Sequence, residues 1–198
     1  MIGWREDLGW RITCRENLPP PNNVITMATK KTAPFTLTER ITIPPGGARV
    51  SDTIDIASYV DVGDRQGLMI HAVDYVFQGT TASTTLAQTF GAGSEPMVQL
   101  LDLNRGDLVF ANDRALISSG VLRYEVNGGF SNESDLFPDN FGKEGRITVN
   151  DTLYVQGVCA TIAGGEALNV TVKITASIVT LSQKDFMAIA IQSTAADN

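Results

Sequence analysis

Phe35, Leu37, Ile41 and Ile43 alternate with Thr36, Thr38, Arg40 and Thr42, giving one apolar face and one hydroxyl-bearing or charged face. That period of two predicts a half-buried strand, which Pro44-Pro45-Gly46-Gly47 ends. Alternation returns over Asp52–Val62 through Ile54, Ile56, Tyr59 and Val60, with Gly63-Asp64 as punctuation. In Leu68–Gln78 both faces are largely apolar, so a central strand covered on both sides is expected. Residues 79–95, rich in Thr, Ala, Ser and Gly, read as a loop. Pro96–Leu103 and Ala115–Val126 predict two more strands. Residues 127–145 carry Phe130, Phe137 and Phe141 among turn formers and read as one long loop, a kind that tends to contact something. Arg146–Val149 and Asp151–Ile162 follow as strands, and Gly164-Gly165 reads as a hairpin connection into Leu168–Ile178, the longest unbroken alternation. Near 182–192 a short helix is expected: Ser182 can cap it, Asp185 stands at its third position, and Leu181 and Phe186 are spaced to form a hydrophobic staple.

About eight strands without intervening helices predict an all-β, antiparallel β-sandwich of jelly-roll type, closed by a short C-terminal helix. The sandwich domain is expected to span 34–198, behind an N-terminal extension or arm at 1–33. That extension holds both tryptophans (Trp4, Trp10), Cys14 and Pro19-Pro20-Pro21, a stiff run that cannot enter a sheet interior. Met27-Ala28-Thr29-Lys30-Lys31 reads as an ordinary start of translation, which would make residues 1–26 an over-long gene call. The competing reading is a real arm that reaches a neighbouring subunit through Trp4 and Trp10.

Charge narrows the function. With 22 acidic and 15 basic residues the net charge is −7, so a phosphate backbone is repelled and no strong direct nucleic-acid binding is expected. Lys30-Lys31 is too short to reverse that. Catalytic chemistry is sparse. The one histidine, His71, lies inside an apolar strand, without a second ligand of the usual zinc type nearby and without a serine in a nucleophile-elbow context. Cys159 lies in a strand-like run and reads as a small buried residue; a bridge to Cys14 is not implied. Glu133, Asp135 and Asp139 offer oxygen ligands but lack the EF-hand offsets, so a solvated loop is the expectation over a Ca²⁺ site. Gly91-Ala92-Gly93 carries little information, and Asn132, Asn150 and Asn169 head sequons that matter only in a secretory compartment. The chain therefore reads as no enzyme, with no catalytic, cofactor-binding or metal-binding residue assigned and no cofactor expected.

The body is similar to the single jelly-roll capsid proteins of tailless icosahedral viruses. Phe35–Ile43 after a short polar leader, the long Leu168–Ile178 strand and the closing helix Ser182–Gln192 carry the resemblance, which covers most of residues 27–192. It implies a self-assembling shell subunit located in the virion, whose partners are copies of itself and other virion proteins. Capsid proteins that package nucleic acid directly often have a strongly basic arm, and this chain departs from that pattern. The departure implies a shell separated from the genome by an internal membrane or another protein layer, or a minor virion component. Leu68–Gln78 and the phenylalanine-bearing segment 127–145 are the expected contacts with neighbours, with ordinary intrachain core as the competing reading for the strand. The alternative is a non-catalytic β-sandwich binding module for carbohydrate or a receptor.

Overall fold

The alternating runs become strands because each places one row of side chains in a shared interior and leaves the other row outside. In the computed structural model, which describes residues 28–81, 95–124, 130–134, 145–159 and 167–195, there are ten strands, a 3₁₀ turn (Ala57–Tyr59) and one helix. The strands are β1 (Thr29–Lys30), β2 (Phe35–Ile43), β3 (Val50–Asp55), β4 (Gln66–Gln78), β5 (Met97–Leu101), β6 (Leu116–Tyr124), β7 (Phe130–Ser134), β8 (Arg146–Thr148), β9 (Thr152–Val158) and β10 (Leu168–Thr180); the helix is α1 (Gln183–Ala195).

All pairings are antiparallel and form two sheets. In the first, β10 is flanked on one side by β4 and then β8, and on the other by β2 and β1 in succession. The second has the order β3-β9-β5-β6-β7. Leaving out the short β1 and the hairpin strand β7, the principal strands in chain order lie as 1-8-3-6 and 2-7-4-5. That interleaving is the double Greek key of a jelly roll. Ile41, Ile43, Leu68, Ile70, Val98, Leu100, Leu153, Val155 and the inward row Leu168–Ala176 of β10 fill the space between the sheets. Each such aliphatic side chain contributes about 1.5–3 kcal/mol on burial.

Strand β4 changes phase partway. Thr175 pairs with Ala72 and Ala176 with Ile70, which leaves His71 as the extra residue of a bulge. Before the bulge Leu68 and Ile70 point inward; after it Val73, Tyr75 and Phe77 do. The outward Met69 joins Val179, Leu181 and Phe186 in a second apolar cluster beneath α1. The two-sided burial expected of this strand thus holds for its first half, where the helix supplies the second cover. Beyond the bulge, Ala72, Asp74, Val76 and Gln78 are exposed.

Helix α1 starts as anticipated. The Asp185 N–H donates to Ser182 Oγ (3.2 Å), Ser182 Oγ donates to Asp185 Oδ2 (2.6 Å), and Leu181 and Phe186 share the second cluster. Three expectations are corrected. Strands β9 and β10 lie in opposite sheets, so the two do not pair as a hairpin. Segment 127–145 is not all loop, because β7 turns back to pair with β6. The run from Asp52 stops at Asp55, whose carboxylate accepts the Ala57 N–H (2.9 Å) and begins the 3₁₀ turn that stacks Tyr59 on Phe35.

Candidate assembly surfaces

Between β5 and β6, residues 102–115 fold back over the outer face of the second sheet as a strap. Its seat is Gln99, which points outward from β5 yet is buried. Gln99 Nε2 donates to the Val109 carbonyl (2.9 Å) and the Val109 N–H donates to Gln99 Oε1 (2.8 Å), so one side-chain amide imitates a rung of a β-ladder. Leu103 and Val109 pack on Leu101, Ala115, Leu116 and Tyr154. Arg146 of β8 clamps the base of the strap: its guanidinium donates to the Leu116 carbonyl (2.7 Å), to the Arg114 carbonyl and to Asp102 Oδ2 (3.1 Å). Asn150 Nδ2 adds a bond to the Asp102 carbonyl (2.6 Å). Burial raises the Asp102 carboxyl above its ordinary range, against the opposing pull of Arg146.

The strap presents an aromatic ring to solvent. Phe110 is 87% exposed at its tip. On one side of the ring lies an apolar hollow of about 270 Å³ lined by Met97, Leu108, Val109 and Ala111. On the other lies a polar hollow of about 550 Å³ lined by Arg105, Asn112, Asp113 and Arg114.

Helix α1, on the outer face of the first sheet, is apolar on two sides. Phe186, Ile189 and Ala190 belong to the cluster beneath it, while Met187 and Ile191, one turn apart, are 52% and 58% exposed. At the turn joining β3 to β4, Val62 is 71% exposed, Asp61 Oδ1 accepts the Gly63 and Asp64 N–H groups, and Arg65 adopts φ of 54°. A cleft of about 340 Å³ between helix and strap is lined by Asp102, Leu103, Arg114, Arg146, Ile189 and Gln192, among others.

Uncovered by α1, the remainder of the first sheet's outer face is a polar array in cross-strand rows. Thr36, Thr175 and Ala72 form one row, and Thr38, Lys173 and Asp74 the next. Arg40, Thr171 and Val76 follow, then Thr42, Asn169 and Gln78. Thr42 Oγ1 donates to Asn169 Oδ1 (2.8 Å), and Thr171 Oγ1 to Gln78 Oε1 (3.3 Å).

His71 sits at the bulge with Nε2 2.8 Å from Ser177 Oγ, and burial together with the nearby Lys30 ammonium lowers its pKa. Cys159 fills a fully buried core position. The amides of Asn150 and Asn169 are engaged with backbone carbonyls. Lys30 lies in β1, and the Lys31 N–H donates to the Ile178 carbonyl (2.8 Å). Among the described residues no three His, Cys, Asp or Glu side chains gather as a metal site, and no helix is long and apolar enough to cross a membrane. Trp4, Trp10, Cys14, Gly91-Ala92-Gly93, Asp135, Phe137, Asp139 and Phe141 lie outside the described residues, as do the side chains of Phe130, Asn132 and Glu133. The Phe110 strap is the feature that sequence reasoning passed over. Its trace was the apolar run Leu108–Ala111 bracketed by Asn104-Arg105-Gly106-Asp107 and Asn112-Asp113.

The strand order makes this an all-β jelly roll, an architecture that virus capsid proteins share with lectin domains and cupins. No family model matches the chain, and no curated protein does. Among solved structures it is similar to a chain from Desmodium yellow mottle tymovirus, with 12% identity and a TM-score of 0.33, over 86% of this chain and 98% of that one.

Proposed function

We propose that this protein is a structural subunit that assembles with further copies of itself, a building block of a virion shell. The observation that carries the reading is the placement of exposed apolar side chains on separate parts of one rigid sandwich. Phe110 stands over the outer face of the second sheet, Met187 on the helix covering the outer face of the first, and Val62 on a turn at its margin. A binding module concentrates its contacts on one concave face, whereas a subunit enclosed by neighbours meets them on several sides. The net charge of −7 favours protein neighbours, or a membrane-separated genome, over direct contact with nucleic acid.

Sedimentation velocity and electron microscopy of the purified full chain test the reading. Defined multimers or closed particles that grow with concentration are expected. A strictly monomeric protein at high concentration would refute it.

A further inference from the structure

Phe110 and Val62 are the two most exposed large apolar side chains among the described residues. Each stands beside a charged side chain, Arg114 and Asp64 respectively, and Gln66 Nε2 donates to Asp64 Oδ2 (3.1 Å). Arg114 is exposed in the hollow next to Phe110 and has no ion-pair partner among the described residues; Asp64 is exposed two positions from Val62 and likewise has none. Their signs are opposite. In the hollow, Asp113 is paired with Arg105, and Arg114 carries a positive charge. In the turn, Asp61 and Asp64 against Arg65 leave one negative charge.

From this complementarity we infer a specific head-to-tail contact between copies: the Asp61–Gln66 turn of one subunit docks on the Phe110 strap of the next. Val62 covers the Phe110 ring, and Asp64 faces Arg114. The inference rests on the self-assembly reading and names the surfaces that carry it. The turn is closed by the Asp61–Gln66 bridge with Val62 exposed in it, and the polar hollow of about 550 Å³ opens beside Phe110. Both sides are held firmly, the turn by its Asp61 bonds and the strap by Gln99 and Arg146, so little ordering cost attends docking. Because different patches meet, the contact is heterologous, and repeating it gives a closed ring or an open array according to the rotation between copies. Each contact is individually weak, since an exposed ion pair adds little, and repetition across many copies supplies the avidity.

Charge exchange tests it. Full-length Arg114→Asp and Asp64→Arg are each expected to weaken association by about tenfold in sedimentation equilibrium at low salt. The double variant is expected to recover most of the loss, and Phe110→Ala to weaken association with no effect on melting. Unchanged assembly in both single charge variants, or a double variant no better than either, overturns the contact while leaving self-assembly standing. A wild-type chain that never associates overturns the functional reading and this contact with it.

Discussion

Gly120 of β6 lies directly against the ring of Tyr75 of β4, across the sandwich: a Cβ at position 120 would stand 2.5 Å from Tyr75 Cδ2. The glycine is there for want of room. Gly120→Ala is expected to destabilise the fold by about 1–3 kcal/mol through overpacking. Tyr75→Leu in the same chain should recover part of that loss, so denaturant titration of the four-variant cycle should show coupling between the two sites. Strict additivity would mean that the ring gives way without cost.

Gln99 holds the strap by a single amide. Gln99→Leu leaves the Val109 N–H and carbonyl without those partners, at about 1–3 kcal/mol if they stay buried. The cheaper response is for the strap to lift. Trypsin should then cut at Arg105 much faster than in the wild type while the sandwich stays folded by circular dichroism. Unchanged cleavage would show that Leu103 and Val109 alone seat the strap.

Asp102 and Arg146 make an ion pair in which burial outweighs attraction at the carboxylate. A carboxyl whose folded pKa is raised binds protons more readily folded than unfolded, so its contribution to stability falls as pH rises from 3.8 through the higher folded value. Asp102→Asn should therefore cost little at neutral pH, within about 1 kcal/mol, and should remove that slope. Arg146→Ala should cost about 3–5 kcal/mol, because it strips bonds from two carbonyls and leaves Asp102 charged and mostly enclosed. Thermal melts between pH 3 and 8 separate the two outcomes.

His71 runs the other way. Its folded pKa lies below the ordinary 6.5, so the unfolded chain takes up the proton first and stability falls as pH drops from 6.5 through the folded value. His71→Gln should flatten that acid limb. His71→Ala should leave assembly largely intact, as befits a residue that fills a bulge and meets Ser177. Loss of assembly in a folded His71→Ala protein would give the imidazole a role at an interface.

Most of the sandwich could be read in the chain because alternation and burial report the same physics. The inward row of β10 is the clearest case: every second residue from Leu168 to Ala176 is fully buried. Ser182, Asp185, Leu181 and Phe186 announced the helix because capping depends on local spacing. What stayed hidden was non-local. Nothing in Gly164-Gly165 distinguishes a turn within one sheet from a passage between two, since strand pairing is decided by the whole core. The one-residue slip at His71 was invisible because Leu68–Phe77 is apolar at enough positions to satisfy either phase. The strap escaped notice because its anchor is a buried glutamine, a residue type that usually marks a surface.

Strand β10 zips to β4 along one side and to β2 and β1 along the other, which has a consequence for synthesis. Thr42 and Asn169, which share a hydrogen bond, are 127 positions apart. At ~5–20 residues per second, roughly 6–25 s of elongation separate β2 from the strand it must meet. Until then the nascent chain carries the partly built first sheet with its middle missing, and β2 and β4 offer open borders to any passing polypeptide. On the ribosome, this molecule is most vulnerable to misassociation until β10 has emerged.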